Sequence, residues 1–345
     1  MTLKTKNMRA AIIGFGGMGQ RHYKAYNLIG VDVCAICDWK KENIQKALPD
    51  FPIEHSYSDH KELLENEDVD IISVVTNGPT HAAITIDASN AGIKRILCEK
   101  PMGTSLQLAQ DIIDVCNKNN TRLAVNHIKR YSLDYKKIKE LIGSGIIGDL
   151  RHMYFSCGNT GLGNFAIHFF DIARYLTDSE PEWTIGFIDD TATPNPRGKE
   201  FADPGGYGII RFKNGVRLFI DSSEDTGVQY SFQLVCTYGR IIIDELNSYW
   251  QIRARSEEDK SIPLTRYGTD MPLFPYECTE KYDIVTLTSR ALKQLLSDEE
   301  ISSPGINGKK SLEMVLSMHI SAERDNAKVY FPIDVKYYNK EIKIA

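Results

Sequence analysis

A doubly wound parallel α/β sheet, followed by an α+β half with a large, mainly antiparallel open sheet, is the fold class that this 345-residue sequence predicts. Three observations predict it. The stretch Arg9 to Tyr26, RAAIIGFGGMGQRHYKAY, passes from a short apolar strand through a glycine turn into a helix without a break. Strand and helix patterns then alternate as far as Asn126, the signature of a parallel sheet covered on both faces. From Trp183 onward strand patterns follow one another closely, with Lys213-Asn214-Gly215 as a hairpin signal between two of them. The expected division places one domain at 1–126 and a second at 127–345.

The glycine turn carries the first chemistry. Gly14, Gly16 and Gly19 stand at G-x-G-x-x-G spacing after the apolar run Ala10 to Ile13. The first glycine permits the tight turn, the second lets a pyrophosphate approach the backbone, and the third lets the helix pack on the sheet. Free N–H groups at the helix start then face the anion. Alone such a pattern is weak, but Val31 to Cys37 reads as a second strand and Asp38 ends it, close to the roughly 20-residue spacing expected for the acid that binds ribose hydroxyls. The run Gly14, Phe15, Gly16, Gly17, Met18 and Gly19 with Asp38 is therefore expected to hold the dinucleotide of a Rossmann domain. A carboxylate there repels a ribose phosphate and favours NAD over NADP, although Lys40 and Lys41 soften that repulsion. A surface Asp capping the helix near Lys40 is the other reading of this residue.

The remaining elements follow in order. Lys40 to Leu48 reads as a helix, Ile53 to Tyr57 as a strand, and Ser58 or Asp59 as the cap of a short helix around Glu62 to Glu65. Val69 to Val75 is the strongest strand pattern, with Thr76-Asn77-Gly78-Pro79 as its turn and Thr80 to Ala91 as a helix. Arg95 to Cys98 is a strand, Glu99-Lys100-Pro101 follows, and a helix runs from Ser105 to Asn117 with Thr104 as N-cap. Leu123 to Asn126 is the sixth strand. In the usual strand order Gly14 to Gly19, Thr76 to Gly78 and Lys100 open onto one cofactor, Lys100 at its nicotinamide end. The same lysine reads equally as a solvated loop residue.

In the second half Tyr135 to Ile142 reads as a helix and Gly143 to Asp149 as a turn. The strands expected are Arg151 to Cys157, Thr184 to Ile188, Gly206 to Phe212, Val216 to Asp221, Tyr230 to Cys236, Arg240 to Asp244 and Ser248 to Ala254. Asp190 to Pro204 reads as a loop, Glu277 to Leu296 and Gly308 to Arg324 as helices, and Val329 to Phe331 as a last strand.

Composition narrows the function. With 42% hydrophobic and 25% charged residues the chain is ordinary for a globular protein, and a net charge of −5 without like-charge blocks argues against nucleic acid and for a small-molecule partner. No run approaches the ~18 apolar residues of a membrane span, and the opening segment reads as a strand, not a signal peptide. Seven scattered cysteines suggest reduced thiols and a cytoplasmic setting. Cys34 and Cys37, though spaced C-x-x-C, lie in a strand and point to opposite faces, so both are assigned to the core. No His, Cys and Asp set has metal spacing, and no metal is expected.

Gly163 to Leu176, GNFAIHFFDIARYL, reads as a helix with two stripes. Phe165, Phe169, Ile172 and Leu176 form a core face, and Asn164, His168, Asp171 and Tyr175 an adjacent polar one. An ordinary amphipathic helix fits this pattern equally well. Chemistry required elsewhere raises the functional reading: oxidising an alcohol with NAD releases a proton, for which histidine is suited near neutral pH, and a lysine ammonium stabilises the developing alkoxide. Lys100 and His168 are the best-placed pair.

Together these residues resemble the Gfo/Idh/MocA oxidoreductases, the family of glucose-fructose oxidoreductase and inositol dehydrogenase. The resemblance covers nearly the whole chain and rests on GFGGMGQRH at Gly14 to His22, VVTNGPTHA at Val74 to Ala82, CEKPMGTS at Cys98 to Ser105, GIIGDLRHM at Gly145 to Met153, AIHFFDIARYL at Ala166 to Leu176 and GKKSLEMVLSMHISA at Gly308 to Ala322. It implies that Lys100 contacts the reacting hydroxyl and the nicotinamide, that His168 is the acid/base, and that Asp171 contacts the sugar or orients His168. Thr76, Asn77, His81 and Glu99 join the cofactor-facing set, although His22, His81 and His319 each fall on a helix and read otherwise as structural. The family further implies a sugar, cyclitol or nucleotide-linked sugar as substrate and an open sheet that builds a homodimer or homotetramer. Two departures stand out. Asn164 occupies a position where many cyclitol-oxidising members have aspartate, which excludes a carboxylate relay there, and Thr76-Asn77-Gly78 replaces a pattern closer to T-P-N.

His127, Lys129, Arg130 and Tyr131 occupy a stretch where related chains contact substrate, and a solvated connector is the alternative. If Arg130 faces the site, an anionic substrate is favoured. Asn164, Asp171, Arg130 and Tyr131 are thus the substrate-binding candidates. The function expected is hydride transfer between NAD and a sugar-type hydroxyl. Its rivals are a dinucleotide-binding regulator without turnover and an enzyme that cycles a permanently bound cofactor between two sugars.

Overall fold

The structure, a computed structural model, describes residues 8–158, 161–189, 201–265 and 268–344. The chain starts with β1 (Arg9–Ile13), α1 (Gly17–Leu28), β2 (Asp32–Cys37), α2 (Lys41–Ala47), β3 (His55–Tyr57) and α3 (His60–Asn66). It continues with β4 (Ile71–Val74), α4 (Gly78–Asn90), β5 (Arg95–Cys98), α5 (Leu106–Lys118) and β6 (Arg122–Val125). These six strands form one wholly parallel sheet in the order β3-β2-β1-β4-β5-β6. Their apolar runs have the helices to cover both faces, as a parallel sheet requires. The order reverses between β1 and β4, and a crevice opens beyond their carboxyl ends.

Two local expectations are corrected here. Ser105, not Thr104, caps α5, because its hydroxyl accepts from the Leu108 amide at 3.2 Å, a reach that the preceding residue lacks. α4 starts at Gly78 rather than Thr80, since Pro79 fits the first turn of a helix and the expected four-residue turn shortens to Thr76 and Asn77. Asp59 caps α3 as expected.

Beyond β6 come a short 3-10 turn at Ile128–Tyr131, α6 (Leu133–Gly143), β7 (Leu150–Ser156), one π-helical turn at Leu162–Ala166, and α7 (Ile167–Thr177). β8 (Pro181–Ile188), β9 (Gly206–Phe212), β10 (Arg217–Asp221), β11 (Ser231–Cys236), β12 (Gly239–Asp244), β13 (Tyr249–Ala254) and β14 (Leu273–Phe274) follow. The chain closes with α8 (Ile284–Leu296), α9 (Gly305–Glu323) and β15 (Val329–Tyr330). The second sheet runs β14-β13-β12-β11-β7-β10-β9-β8-β15, antiparallel except where β7 lies parallel to β10. The helix expected from Glu277 begins only at Ile284, where Asp283 accepts from the Thr286 amide. The two-residue β14 is too short for its pattern to register. The expected loop at Asp190 to Pro204 lies outside the described residues up to 200.

Alternate residues of the second sheet, among them Met153, Phe155, Leu218, Phe232, Leu234 and Ile241, point inward onto Phe169, Phe170 and Ile172 of α7. α9 packs on α5, α7, β6 and β8 and joins the two halves. α8 does not stay with the second sheet. Its Leu287, Ala291, Leu292 and Leu295 enter the core of Ala10, Ile12, Tyr26, Leu97 and Ala124 on one face of the first. All seven cysteines are free thiols, Cys34 and Cys37 buried. Among the described residues no helix is long and apolar enough to cross a membrane.

Candidate active site

The turn after β1 is built by close backbone approach. Gly14 has φ +97°, a region that disfavours any side chain, and its amide donates to the Cys37 carbonyl at 2.7 Å. A Cβ there would lie 2.6 Å from the Val75 carbonyl. At Gly19 a Cβ would run into the Gly14 carbonyl oxygen, so the third glycine lets α1 rest on the turn. At Gly16 and Gly17 the same atom meets nothing within 4 Å. That open space fronts the N-terminus of α1, which among the described residues has neither a capping side chain nor an acid in its first turn. Its unpaired amides and positive dipole end suit a pyrophosphate.

Two cavities meet at this turn. One, of about 680 Å³, is lined by Gly14, Asp38, Trp39, Asn43, Asn77 and Pro79 among others. The second, of about 580 Å³, holds Met18, Glu99, Lys100, Asn164, His168 and Tyr230. Gly16, Val75, Thr76 and Asn77 border both, so the cavities run on from β2 to α7 past the glycine turn. Asp38 is held at the first by the amides of Phe15 and Lys40, both 2.9 Å, and by the Asn43 amide group at 3.1 Å. Carboxylate oxygens have lone pairs beyond these, so ribose hydroxyls can still be accepted. The residues thus fit a dinucleotide with its adenosine at Asp38 and its nicotinamide toward Lys100.

Lys100 follows Glu99 just beyond β5, and its amide donates to the Glu99 carboxylate at 3.2 Å. Glu99 is buried, accepts from the Asn126 amide group at 2.6 Å, and lies 3.0 Å from Nε2 of His22, whose Nδ1 is 3.1 Å from the Ser73 hydroxyl. Burial alone would raise the Glu99 carboxyl, but His22, Lys100 and Asn126 outweigh it and bring it to about 2. Because that lies below the ordinary 4.5, its stabilisation is complete above the unfolded value and is lost as pH falls from 4.5 to 2. In urea unfolding at a series of pH values, wild type should therefore lose stability across this window more steeply than Glu99→Gln. Equal slopes would remove Glu99 from this role.

Lys100 Nζ donates to the Asn164 carbonyl at 2.5 Å. That carbonyl lies in the π-helical turn before α7, where the Ala166 amide bonds back to Gly161. Wider turns of this kind recur at functional sites. The Asp203 carboxylate holds the turn by accepting from the Gly163 and Asn164 amides, both at 2.7 Å. His168 follows in the first turn of α7. Its Nδ1 is buried without a partner among the described residues, so Nε2 is the nitrogen offered to a ligand. Burial first, then Lys100, His127 and Lys129, hold the ring well below its ordinary value. The ring is therefore neutral at neutral pH.

The other expected residues divide. Asn164, Thr76, Asn77, His81, Glu99 and Met18 line the second cavity. His81 places its ring nitrogens 2.7 and 2.8 Å from the carbonyls of Pro101 and Thr76, which ties two loops together. Phe15 gives its amide to Asp38 and packs its ring on Tyr23 and Phe51. Asp171, Arg130 and Tyr131 do not line either cavity. Arg130 donates to Asp171 at 2.6 Å with both side chains buried, and Ser311 donates to the same carboxylate at 3.2 Å. The Arg130 charge is thereby used inside the protein, and the condition attached to an anionic substrate is not met.

One wall was not foreseen. Lys129, Tyr230, Leu246 and Tyr282 close the second cavity. Lys129 is buried and paired with buried Glu245, which also accepts from the Tyr230 hydroxyl at 2.6 Å. The Lys129 ammonium lies 4.4 Å from the Phe169 ring centre and 5.1 Å from that of Tyr282. The lysine lay in a stretch already singled out, but Glu245 has no signal in sequence, being an ordinary acid after a strand.

Residues 8–127 match the model of an oxidoreductase family with NAD-binding Rossmann fold, and residues 135–242 that of a GFO/IDH/MocA C-terminal domain. The chain is 32% identical over 145 residues to inositol 2-dehydrogenase of Salmonella typhimurium, 41% of this chain and 43% of that protein. It thus spans less than half the length of that relative. With the oxidoreductase YrbE of Bacillus subtilis it shares 30% identity over 241 residues, 66% of this chain and 70% of the relative. An oxidoreductase of Agrobacterium radiobacter, solved with NAD+, L-tartaric acid and magnesium, has the same fold at a TM-score of 0.77 and 19% identity, over 94% of this chain and 98% of that one.

Proposed function

Since the chain belongs to the Gfo/Idh/MocA oxidoreductase family, we propose that it transfers a hydride between NAD and a hydroxyl-bearing carbon of a sugar or cyclitol. The observation that carries this reading is the meeting of Lys100, in the turn after β5, and His168, on α7, at the end of a cavity that begins at the glycine turn. Residues 1–126 supply most of the cofactor surface and residues 127–345 the base. Bound NAD supplies the hydride acceptor. His168 takes the hydroxyl proton at Nε2, and the Lys100 ammonium stabilises the negative charge left on oxygen. Asn164 carries no charge and orients the substrate by hydrogen bonds alone. A panel of sugars, cyclitols and nucleotide sugars, followed by NADH formation, tests the reading. Binding of NADH without turnover on any of them would favour a dinucleotide-binding regulator.

Asp38 carries the preference for NAD. Its carboxylate lies where a ribose phosphate would be repelled and desolvated. Asp38→Ala should lower the NAD-to-NADP affinity ratio about fivefold or more, since a like-charge contact costs roughly 1 kcal/mol or above. Fluorescence titration with NADH and NADPH measures it, and an unchanged ratio would detach Asp38 from the ribose.

A further inference from the structure

His127 is 1% exposed, and neither of its ring nitrogens has a hydrogen-bond partner among the described residues. Its ring meets that of His168 edge to face, with centroids 5.9 Å apart. Nδ1 of His168 is buried and unpartnered as well. Buried polar nitrogens rarely remain so, and because no direct hydrogen bond joins these two touching rings, three such nitrogens call for a water that bridges them by hydrogen bonds.

The chemistry says which way that bridge runs. A histidine whose Nε2 accepts a proton carries its own hydrogen on Nδ1, and that hydrogen needs an acceptor. The charged groups facing the two rings are Lys100 and Glu99 at the end of β5, Lys129 and Arg130 in the turn after β6, and Asp171 on α7. Asp171 is engaged by Arg130 and Ser311, and Glu99 by His22 and Asn126. The neighbouring position 164 holds an amide, not an acid. His127 can be the acceptor because it is neutral: burial carries it down to about 4, Asp171 opposes, and Arg130 and Lys100 add to the fall. A neutral imidazole has one lone-pair nitrogen to offer.

We propose that His127 is a positioning residue for His168: through one bridging water, a ring nitrogen of His127 serves as acceptor for the Nδ1 hydrogen of His168, fixing the tautomer that leaves Nε2 open to the substrate hydroxyl. The inference rests on the reading of His168 as the base. When the substrate O–H bond breaks, the new N–H bond forms at Nε2, and the resulting imidazolium is held at Nδ1 while His127 itself gains no proton. His127 thereby does for this chain what a carboxylate at position 164 would otherwise do.

Two measurements test it. In the unaltered protein with NADH bound, ¹H–¹⁵N spectra of histidine-labelled chain, assigned with His168→Gln, report the tautomer of each ring. The expected result is His168 protonated at Nδ1 beside a neutral His127; His168 protonated at Nε2 overturns the proposal whether or not a substrate is known. With the substrate that the panel identifies, His127→Phe should lower kcat by about tenfold to a hundredfold with little change in KM. It should also move the acid limb of the kcat profile to lower pH, because the imidazolium loses its acceptor. His127→Asn should recover part of both. An unchanged kcat and acid limb in folded His127→Phe also overturns the proposal. Failure of the underlying reading has its own mark, turnover that survives the loss of Lys100 and His168.

Discussion

Lys100→Met and His168→Gln should each cut turnover by about 10²- to 10⁴-fold while NADH still binds and the chain stays folded. Both changes nearly keep the volume of the side chain, so what is removed is a charge in one case and a base in the other. The Asn164 carbonyl loses its 2.5 Å donor in Lys100→Met, at a cost of about 1–3 kcal/mol if no water replaces it. That loss is small beside the catalytic effect and is visible separately in a urea titration. For His168→Gln the kcat profile should also lose its acid limb, since the group whose protonation stops the reaction is gone. Steady-state kinetics with NAD held saturating separates these effects. Rates near wild type in both variants would mean that the pair does not carry the chemistry.

The glycine turn should tolerate change at one position and not at its neighbour. Gly14→Ala forces a side chain into φ +97° and sets its Cβ 2.6 Å from the Val75 carbonyl, between β1 and β4 where neither strand can yield. Strain and overpacking together should cost at least about 3 kcal/mol. Gly16→Ala adds the same methyl where nothing lies within 4 Å. The folded protein should hardly notice, but the methyl stands where a pyrophosphate approaches the backbone, and NADH affinity should fall about tenfold or more. Urea unfolding and NADH fluorescence titration on the two variants give the two halves of this contrast. NADH binding to Gly16→Ala at wild-type affinity would show that the phosphates lie elsewhere.

Much of this site was legible because its parts are local. The glycine turn lies between an apolar strand and a helix in one short stretch, and Asp38 at the end of the next strand needs only parallel neighbours to reach it. Lys100 was placed by strand order alone. What was not legible depends on contacts between distant segments. The stripe Asn164, His168, Asp171 and Tyr175 is continuous in helical spacing, yet the cavity takes its first half and Arg130 takes Asp171. Nothing in spacing says where a cavity stops. Asp203, which fastens the turn before His168, lies in a loop whose pattern carries only its polarity. Thr104 and Ser105 are equal candidates by residue type, and only the direction of the arriving chain chose between them.

The return of α8 sets an order in time. One face of the first sheet, with Ala10 and Ile12 of β1 and Tyr26 of α1 beside them, is covered by Leu287, Leu292 and Leu295, residues synthesised long after all six strands of that sheet. A nascent protein that has just emitted its sixth strand therefore holds a dinucleotide fold whose apolar flank is still bare, the kind of surface that recruits chaperones or sticks to its neighbours. Sealing waits until residue 296 has left the ribosome. By then α7 and all of the second sheet except β15 are already made, so this flank closes long after the strands it covers.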